Sequence, residues 1–378
     1  MPWKVQPVSE IRLAFIHQVV TLNAPVAQVC RSFGISRKTG YKWLARYRKR
    51  PGESLCDRSR RPVTFPKRTA DLIETRIVDV RDRYGWGARK IHAFLTERNV
   101  ALPSIRTVTN ILRRHSRIQG TEKTVLGDTQ FFERSEPHQL WQCDHKGPLE
   151  IGRRKVHPFT VLDDHSRFLI ALHPCLDVSM KPAFDVLWRA FDEFGMPESI
   201  LCDNAFGTTF EAPKTISWFE ARLVRLGIQP IHGRPYHPQT QGKVERLHGT
   251  LEREVWPRVR RDCVDHFAED ITKWRRDIYN SIRPHQAIGD KPPISRFRPS
   301  TRKRPDQLPP VTYDSGSLVR KVSTSGDVRW KKLRILAGRG LVGEYVRIEE
   351  RDHELALFYT WKEIRTIPNK QLKPGKML

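Results

Sequence analysis

Between residues 138 and 255 the apolar residues change their period several times, and that change limits the fold more than any other property of the chain. "HQLWQCDHKGPLEI" holds a short strand-like run ending near Asp144, and "HPFTVLDDHSRFLIALHPCL" reads as a hairpin turning at Asp164 to Ser166. "SMKPAFDVLWRAFDEFG" has helical spacing, and "PESILCDNAFG" is a short buried strand that stops at Asp203. A helix from about Ile216 to Leu226 and a strand at "IQPIHG" follow. In "RPYHPQTQGKVERLHGTLEREV" the turn formers Pro235, Pro238 and Gly242 lead into Val244, Leu247, Leu251 and Val255 at helical spacing. A helix therefore starts near Thr240, with Glu245 in its first turn beside the apolar stripe. The order is strand, strand, strand, helix, strand, helix, strand, helix. Connections through helices favour parallel pairing of the later strands, giving a mixed five-stranded sheet covered by helices.

Charge divides the 378 residues differently. Residues 1–120 hold 25 Lys+Arg against 8 Asp+Glu, residues 121–300 hold 26 against 25, and residues 301–378 hold 17 against 9. The net +26 thus lies at the two ends. It is interleaved there with apolar periodicity, which favours folded modules gripping a polyanion over solvated tails. The six cysteines include no pair at CxxC spacing, so neither a zinc module nor a disulfide framework is indicated. No P-loop motif is present and no apolar run reaches membrane-spanning length, which predicts no nucleotide cofactor, no membrane contact and a cytoplasmic, nucleoid-associated protein.

The basic N-terminal third repeats one scheme. In "PVAQVCRSFGISRKTGYKWLARYRKR" a short helix meets Gly34, and Ser36 caps a second helix with Arg37, Lys38, Thr39, Tyr41 and Lys42 on its early turns. "GWGARKIHAFLTERNVALPSIRTVTNILRR" follows suit, its second helix capped by Ser104 and carrying Arg106 and Thr107. Both read as helix-turn-helix DNA-binding domains, residues 1–50 and 69–120. Residues 51–68 between them form a basic Pro/Arg arm, with Arg58, Arg60 and Arg61 placed to follow a DNA backbone. Residues 299–310 are a second Pro/Arg linker, and 311–378 offer short strands broken by Gly and Asp, consistent with a small basic β-barrel.

Asp144 and Asp203 end or sit within strands that can lie side by side, and acids at strand ends line the usual crevice of α/β sheets. With Glu245 they make a carboxylate group that repels itself unless a hard divalent cation sits among them; magnesium or manganese suits oxygen ligands. A pair of such ions suits displacement at phosphorus. Asp163 and Asp164 are better explained by the side-chain to backbone bonds of a DDHS turn.

"WQCDHKG", "LDDHSR", "LCDNAFG", "YHPQTQGKVERLHGTLE" and "YNSIRPHQAIGDKPPISRF" resemble, in order, the successive blocks of insertion-sequence transposases with a retroviral-integrase-type DDE core. "LCDRSRRP" resembles the arm before that core. The resemblance implies an RNase H-like catalytic core over residues 121–298, with Asp144, Asp203 and Glu245 as catalytic, metal-binding acids for two Mg2+ or Mn2+ ions and Lys243 beside them at DNA. It implies a transposase that binds the terminal inverted repeats of its element, cleaves them and transfers the 3′-hydroxyl ends to target DNA, acting as a dimer or tetramer. The alternative is an inactive DNA-binding regulator derived from one. The chain departs from the pattern in two places: 41 residues separate Asp203 from Glu245, more than is usual, and Glu252 stands where a Lys or Arg is common.

Overall fold

The computed structural model describes residues 7–51, 55–57, 68–118, 133–202, 215–232 and 242–371. Met1–Arg68 and Thr69–Leu378 form two compact units.

In the first unit, α1 (Val8–Val20), α2 (Val26–Ser32) and α3 (Arg37–Lys49) close around Phe15, Ile16, Val29, Cys30, Trp43 and Leu44. Gly34 turns the chain between α2 and α3 at φ 62°, and Ser36 Oγ accepts the Thr39 N–H at 3.1 Å to cap α3. A Cβ at Gly40 would lie 2.5 Å from the Cys30 sulfur, so the absent side chain is what lets α3 press on α2. The Arg12 guanidinium lies 3.8 Å over the Trp43 ring and donates to Leu55 O at 2.8 Å, tying the segment after α3 back to α1.

The second unit begins with another trihelical module. Helices α4 (Asp71–Tyr84), α5 (Ala88–Thr96) and α6 (Ile105–Arg114) surround Ile77, Trp86, Ile91, Val108, Ile111 and Leu112. Asn99 takes φ 58° in the α5–α6 turn, and Ser104 caps α6 through the Thr107 N–H. Buried Glu74 accepts from Arg114 and bonds His115 Nε2, which fastens α4 to the end of α6.

A mixed sheet follows. Strand β1 (Trp141–His145) is central: it pairs antiparallel with β3 (Arg154–Asp163) and parallel with β5 (Ser199–Cys202), which pairs parallel with β6 (Gln229–His232). Strand β4 (Leu169–Cys175) lies antiparallel to β3. Among the described residues the sheet has six strands rather than the expected five. The extra one is β2 (Leu149–Ile151), made when Gly152, at φ 57°, folds "LEI" back on the start of β3. A run of only three residues carries too little alternation to be told from the loop around it.

Alternation along the strands supplies two cores. Cys143, Val161, Ile200 and Cys202 face α7 (Met180–Phe194) and α8 (Trp218–Arg225), whose Phe184, Leu187, Phe219 and Leu223 fill that side. Leu162 and Leu169 face the other way, onto Val244, Leu247 and Leu251 of the helix that starts with α9 (Gly242–Thr250) and onto Phe267 and Ile271 of α10 (Val264–Lys273). Residues 299–310, read as a linker, are strapped along this domain: Arg302 donates to Gly227 O at 2.9 Å and Ser300 N to Phe194 O at 2.8 Å.

Among the described residues the C-terminal strands do not close into the expected barrel. Among the same described residues, strands β7 (Leu318–Lys321), β10 (Tyr345–Glu350), β11 (Glu354–Tyr359) and β12 (Lys362–Pro368) form an open four-stranded sheet, and β8 (Asp327–Trp330) pairs with β9 (Leu333–Leu336). Their common core is completed by Ile216 and by Ala221 and Val224 of α8, so a neighbouring helix does the covering that closure would have done. The contact is close: a Cβ at Gly340 would fall 2.3 Å from the Ser217 carbonyl carbon. Gly340→Ala should therefore cost about 2 kcal/mol of stability, read as a lower urea midpoint. Gly147→Ala, with open space around it, should change stability by under about 1 kcal/mol. Equal midpoints for the two variants would put the tail off the helix.

Candidate active site

The site is built where α9 meets β1. Val244, Leu247 and Leu251 are buried against the sheet, as their spacing requires, and this leaves Glu245 exposed at the edge of the stripe. Asp144, 24% exposed, stands opposite Thr160 of β3 in the ladder. Thr160 Oγ1 donates to the Asp144 carbonyl at 3.0 Å and is 3.0 Å from His248 Nε2, while His248 Nδ1 lies 3.9 Å from Asp144 Oδ2. His248 comes one helical turn after Glu245, so this chain of contacts seats α9 on β1 at the level of Asp144 with Glu245 on the adjoining turn. On the other side of β1, the parallel pairing with β5 runs up to Cys143 opposite Cys202. Asp203 lies outside the described residues, as do Arg58, Arg60 and Arg61.

Electrostatics favour carboxylate chemistry here. Burial pushes the His248 imidazole down to about 4, with the nearby Lys146 ammonium adding to the effect, and burial does the same to His145. Both rings are therefore neutral at physiological pH, leaving no imidazolium beside Asp144. The donors that Asp144 and Glu245 offer are carboxylate oxygens in water-accessible positions, a set that fits a hard divalent cation. Lys146 Nζ reaches Glu252 Oε1 at 2.6 Å and holds that carboxyl below the usual range. The acid at the position where a cation is common is thus matched by a cation from the end of β1.

Lys243 turns inward. Its ammonium is ion-paired with Asp164, which is wholly buried and also accepts from Gln142 Nε2 and the Arg134 N–H, at 2.7 and 2.8 Å. Burial lowers the Lys243 pKa, with Asp164 opposing the change. Asp163 accepts from Ser166 N at 2.7 Å, Ser166 Oγ at 2.6 Å and His138 N at 2.8 Å, the bonding expected of a DDHS turn. On the helix-turn-helix modules, Arg37, Lys38, Tyr41 and Lys42 are exposed on α3 and Arg106 on α6, while Thr39 and Thr107 are half-buried in the caps. Among the described residues, Asp262, Cys263 and His266 bring potential metal-ligand atoms within 4.8 Å of one another. Each has a structural task, since His266 Nδ1 is 2.6 Å from Asp262 Oδ2 and the Cys263 sulfur accepts the His266 N–H that caps α10.

Nothing local in the sequence marks Thr160 or Lys146 as part of the site, and His248 is marked only by its place after Glu245. The usable signal was the interval of three residues from Glu245 to His248, which puts both on neighbouring turns of one face. The two kinds of acid should separate by stability. Asp163→Asn, which sets an amide against buried donors, should lower the unfolding free energy by about 2 kcal/mol, while Glu245→Gln at its exposed position should change it by less than about 0.5 kcal/mol. Urea titration of both variants checks this, and the reverse order would misassign the roles.

Comparison with known proteins bears on the domains. Residues 134–238 and 226–293 match models of the integrase core domain, and residues 7–54 and 39–112 match models of homeodomain-like domains. The uncharacterized 39.2 kDa protein of insertion element IS476 from Xanthomonas euvesicatoria is 24% identical over 62% of this chain and 66% of its own length. The Gag-Pro-Pol polyprotein of simian retrovirus SRV-2 is 36% identical over 31% of this chain and 6% of its own length. The chain thus spans less than two thirds of either relative. The solved HTLV-2 integrase catalytic core domain in complex with magnesium, in its trimeric form, is 16% identical over 43% of this chain and 99% of that chain, with a TM-score of 0.31. The chain thus matches integrase core domain models behind N-terminal homeodomain-like domains, and it is similar to an insertion-element protein and, over about a third of its length, to retroviral polyproteins.

Proposed function

We propose that this protein is a DDE transposase: it binds the terminal inverted repeats of a mobile element, cleaves the DNA there and joins the freed 3′-hydroxyl ends to target DNA. The observation that carries the reading is the contact from Asp144 through Thr160 to His248, which seats the helix of Glu245 on the strand of Asp144. In this reading Asp144, Asp203 and Glu245 hold two magnesium or manganese ions. Bound ions would activate a water or 3′-hydroxyl and neutralise the leaving oxygen at phosphorus.

The chain's own residues do the rest. Arg37, Lys38, Tyr41 and Lys42 of the first module and Arg106 of the second grip and read duplex DNA from their exposed faces. Thr160 and His248 keep Asp144 and α9 in register, and neutral His248 does so without competing for a cation's place. Joining two element ends at one target calls for more than one protomer, a dimer or tetramer on DNA.

The test uses the full chain, a duplex taken from the DNA flanking its reading frame, and magnesium. Asp144→Asn, Asp203→Asn and Glu245→Gln should each abolish cleavage and joining while leaving duplex binding within about twofold, because only the charge is removed. Doubles among them should be little worse than singles. Near-normal strand transfer by Glu245→Gln would sink the triad.

Arg37→Ala with Lys38→Ala should weaken binding and reduce the slope of log affinity against log salt by about 2 if both meet phosphates. Equal affinity of wild type for scrambled duplex would reduce the helix-turn-helix modules to non-specific clamps.

A further inference from the structure

The second helix-turn-helix module meets the catalytic domain through a partly exposed pair, Arg89 with Asp290 at 2.9 Å, and more deeply through the buried carboxylate of Glu254. Glu254 is 5% exposed and lies in the turn that continues α9, Leu251–Val255. Its Oε2 accepts from Arg283 Nε at 2.7 Å and from Trp86 Nε1 at 3.2 Å, and its Oε1 from Lys90 Nζ at 2.6 Å and Arg283 Nη2 at 2.9 Å. Two of these donors, Trp86 and Lys90, come from the module that carries α6. Arg283 belongs to the catalytic side and also reaches Thr250, the last residue of α9, at 3.3 Å. Ile278 and Ile282 pack against the module's apolar core around this joint.

Two features say that the joint does more than hold the parts together. A buried carboxylate between two cations is an expensive way to stick surfaces together, since apolar side chains of like volume hold as well, but its hydrogen bonds fix direction and register as apolar contact does not. The backbone also departs from the α-helix on both sides of it. Leu251–Val255 and Trp274–Asn280 are π-helical, a rare form that widens the turn and re-aims the side chains that follow. In the first segment this aims Glu254 at the module although the preceding turns of the same helix face the sheet. Glu254 is nine residues beyond Glu245 on a continuous helix, about 13 Å along its axis.

We infer that Glu254 is a positioning residue: through Trp86 and Lys90 it makes the second helix-turn-helix module and the helix of Glu245 one rigid body, so that duplex DNA seated on α6 sets where Glu245 stands. The inference rests on the proposed function only for its catalytic consequence. A DNA end held in the wrong register would then be bound but not cut, because the acid moves with the reading helix.

Cutting only the bonds across the joint tests this. Trp86→Phe with Lys90→Met removes both donors from the module yet leaves Glu254 paired bidentately with Arg283, so no buried charge is stranded. In the full-length variant without DNA, amide hydrogen exchange over 242–250 should rise several-fold relative to wild type while the strands β1 and β5 keep their protection. Adding the flanking-DNA duplex in EDTA should slow exchange over 242–250 in the wild type and fail to do so in the variant. Cleavage in magnesium should fall roughly tenfold to a hundredfold with duplex Kd unchanged. Should the double variant not fold, Lys90→Met alone, which keeps every packed aromatic in place, should show the same exchange change in part. Wild-type exchange over 242–250 in whichever variant folds, with and without duplex, overturns the inference. The exchange arms need no catalysis, so a wild-type protein that cuts nothing would fail the transposase reading without deciding this one.

Discussion

Strand β1 is the constraint on which the rest depends. It takes an antiparallel neighbour on one side and a parallel neighbour on the other, so it is where the hairpin half of the sheet meets the crossover half. Because side chains alternate, Cys143 goes to the core under α7 and α8 and Asp144 to the face that receives α9. A slip of one residue would bury the acid and expose the thiol. Thr160, fixed opposite Asp144 by the β1–β3 register, then decides where His248 and the whole of α9 can dock.

Around that strand, charge is used in two distinct ways. Inside the second unit several buried or half-buried cations are spoken for: Lys243 by Asp164, Arg167 by Glu133, Arg283 and Lys90 by Glu254. These pairs hold segments distant in sequence and add little to the field outside. On α3 and α6, by contrast, Arg37, Lys38, Lys42 and Arg106 face water. Part of the basic composition is therefore structural, and part of it, on these two helices and elsewhere, faces water.

The sequence was most legible where a local rule decides the structure. The helix of Glu245, the hairpin closed by Asp163 and the caps at Ser36 and Ser104 all depend on intervals of a few residues, and each is found where its interval points. Strand β2 escaped because a run so short has no period. The C-terminal barrel was expected from strand density alone, and nothing local in "GSLVRKVSTSGDVRWKKLRIL" says that α8 will cover its open side. The Glu254 joint links residues 168 apart in the chain, and a Glu in a helical run carries no mark of being buried. Lys243 shows the same limit: nothing beside it in the sequence points to Asp164, its partner in a turn 79 positions earlier.

Helix α8 gives Phe219 and Leu223 to the core of the sheet and Ala221 and Val224 to the core of the C-terminal strands, so both domains share its interior. Recombination between genes tends to reuse domains whose cores are complete in themselves. Here the boundary runs through a single turn of helix, and a foreign tail joined after the same linker would meet a face cut for Gly340 and Leu341. The C-terminal strands are thus expected to have diversified together with α8, by coordinated small changes on the two sides of that helix, and not by exchange as a cassette.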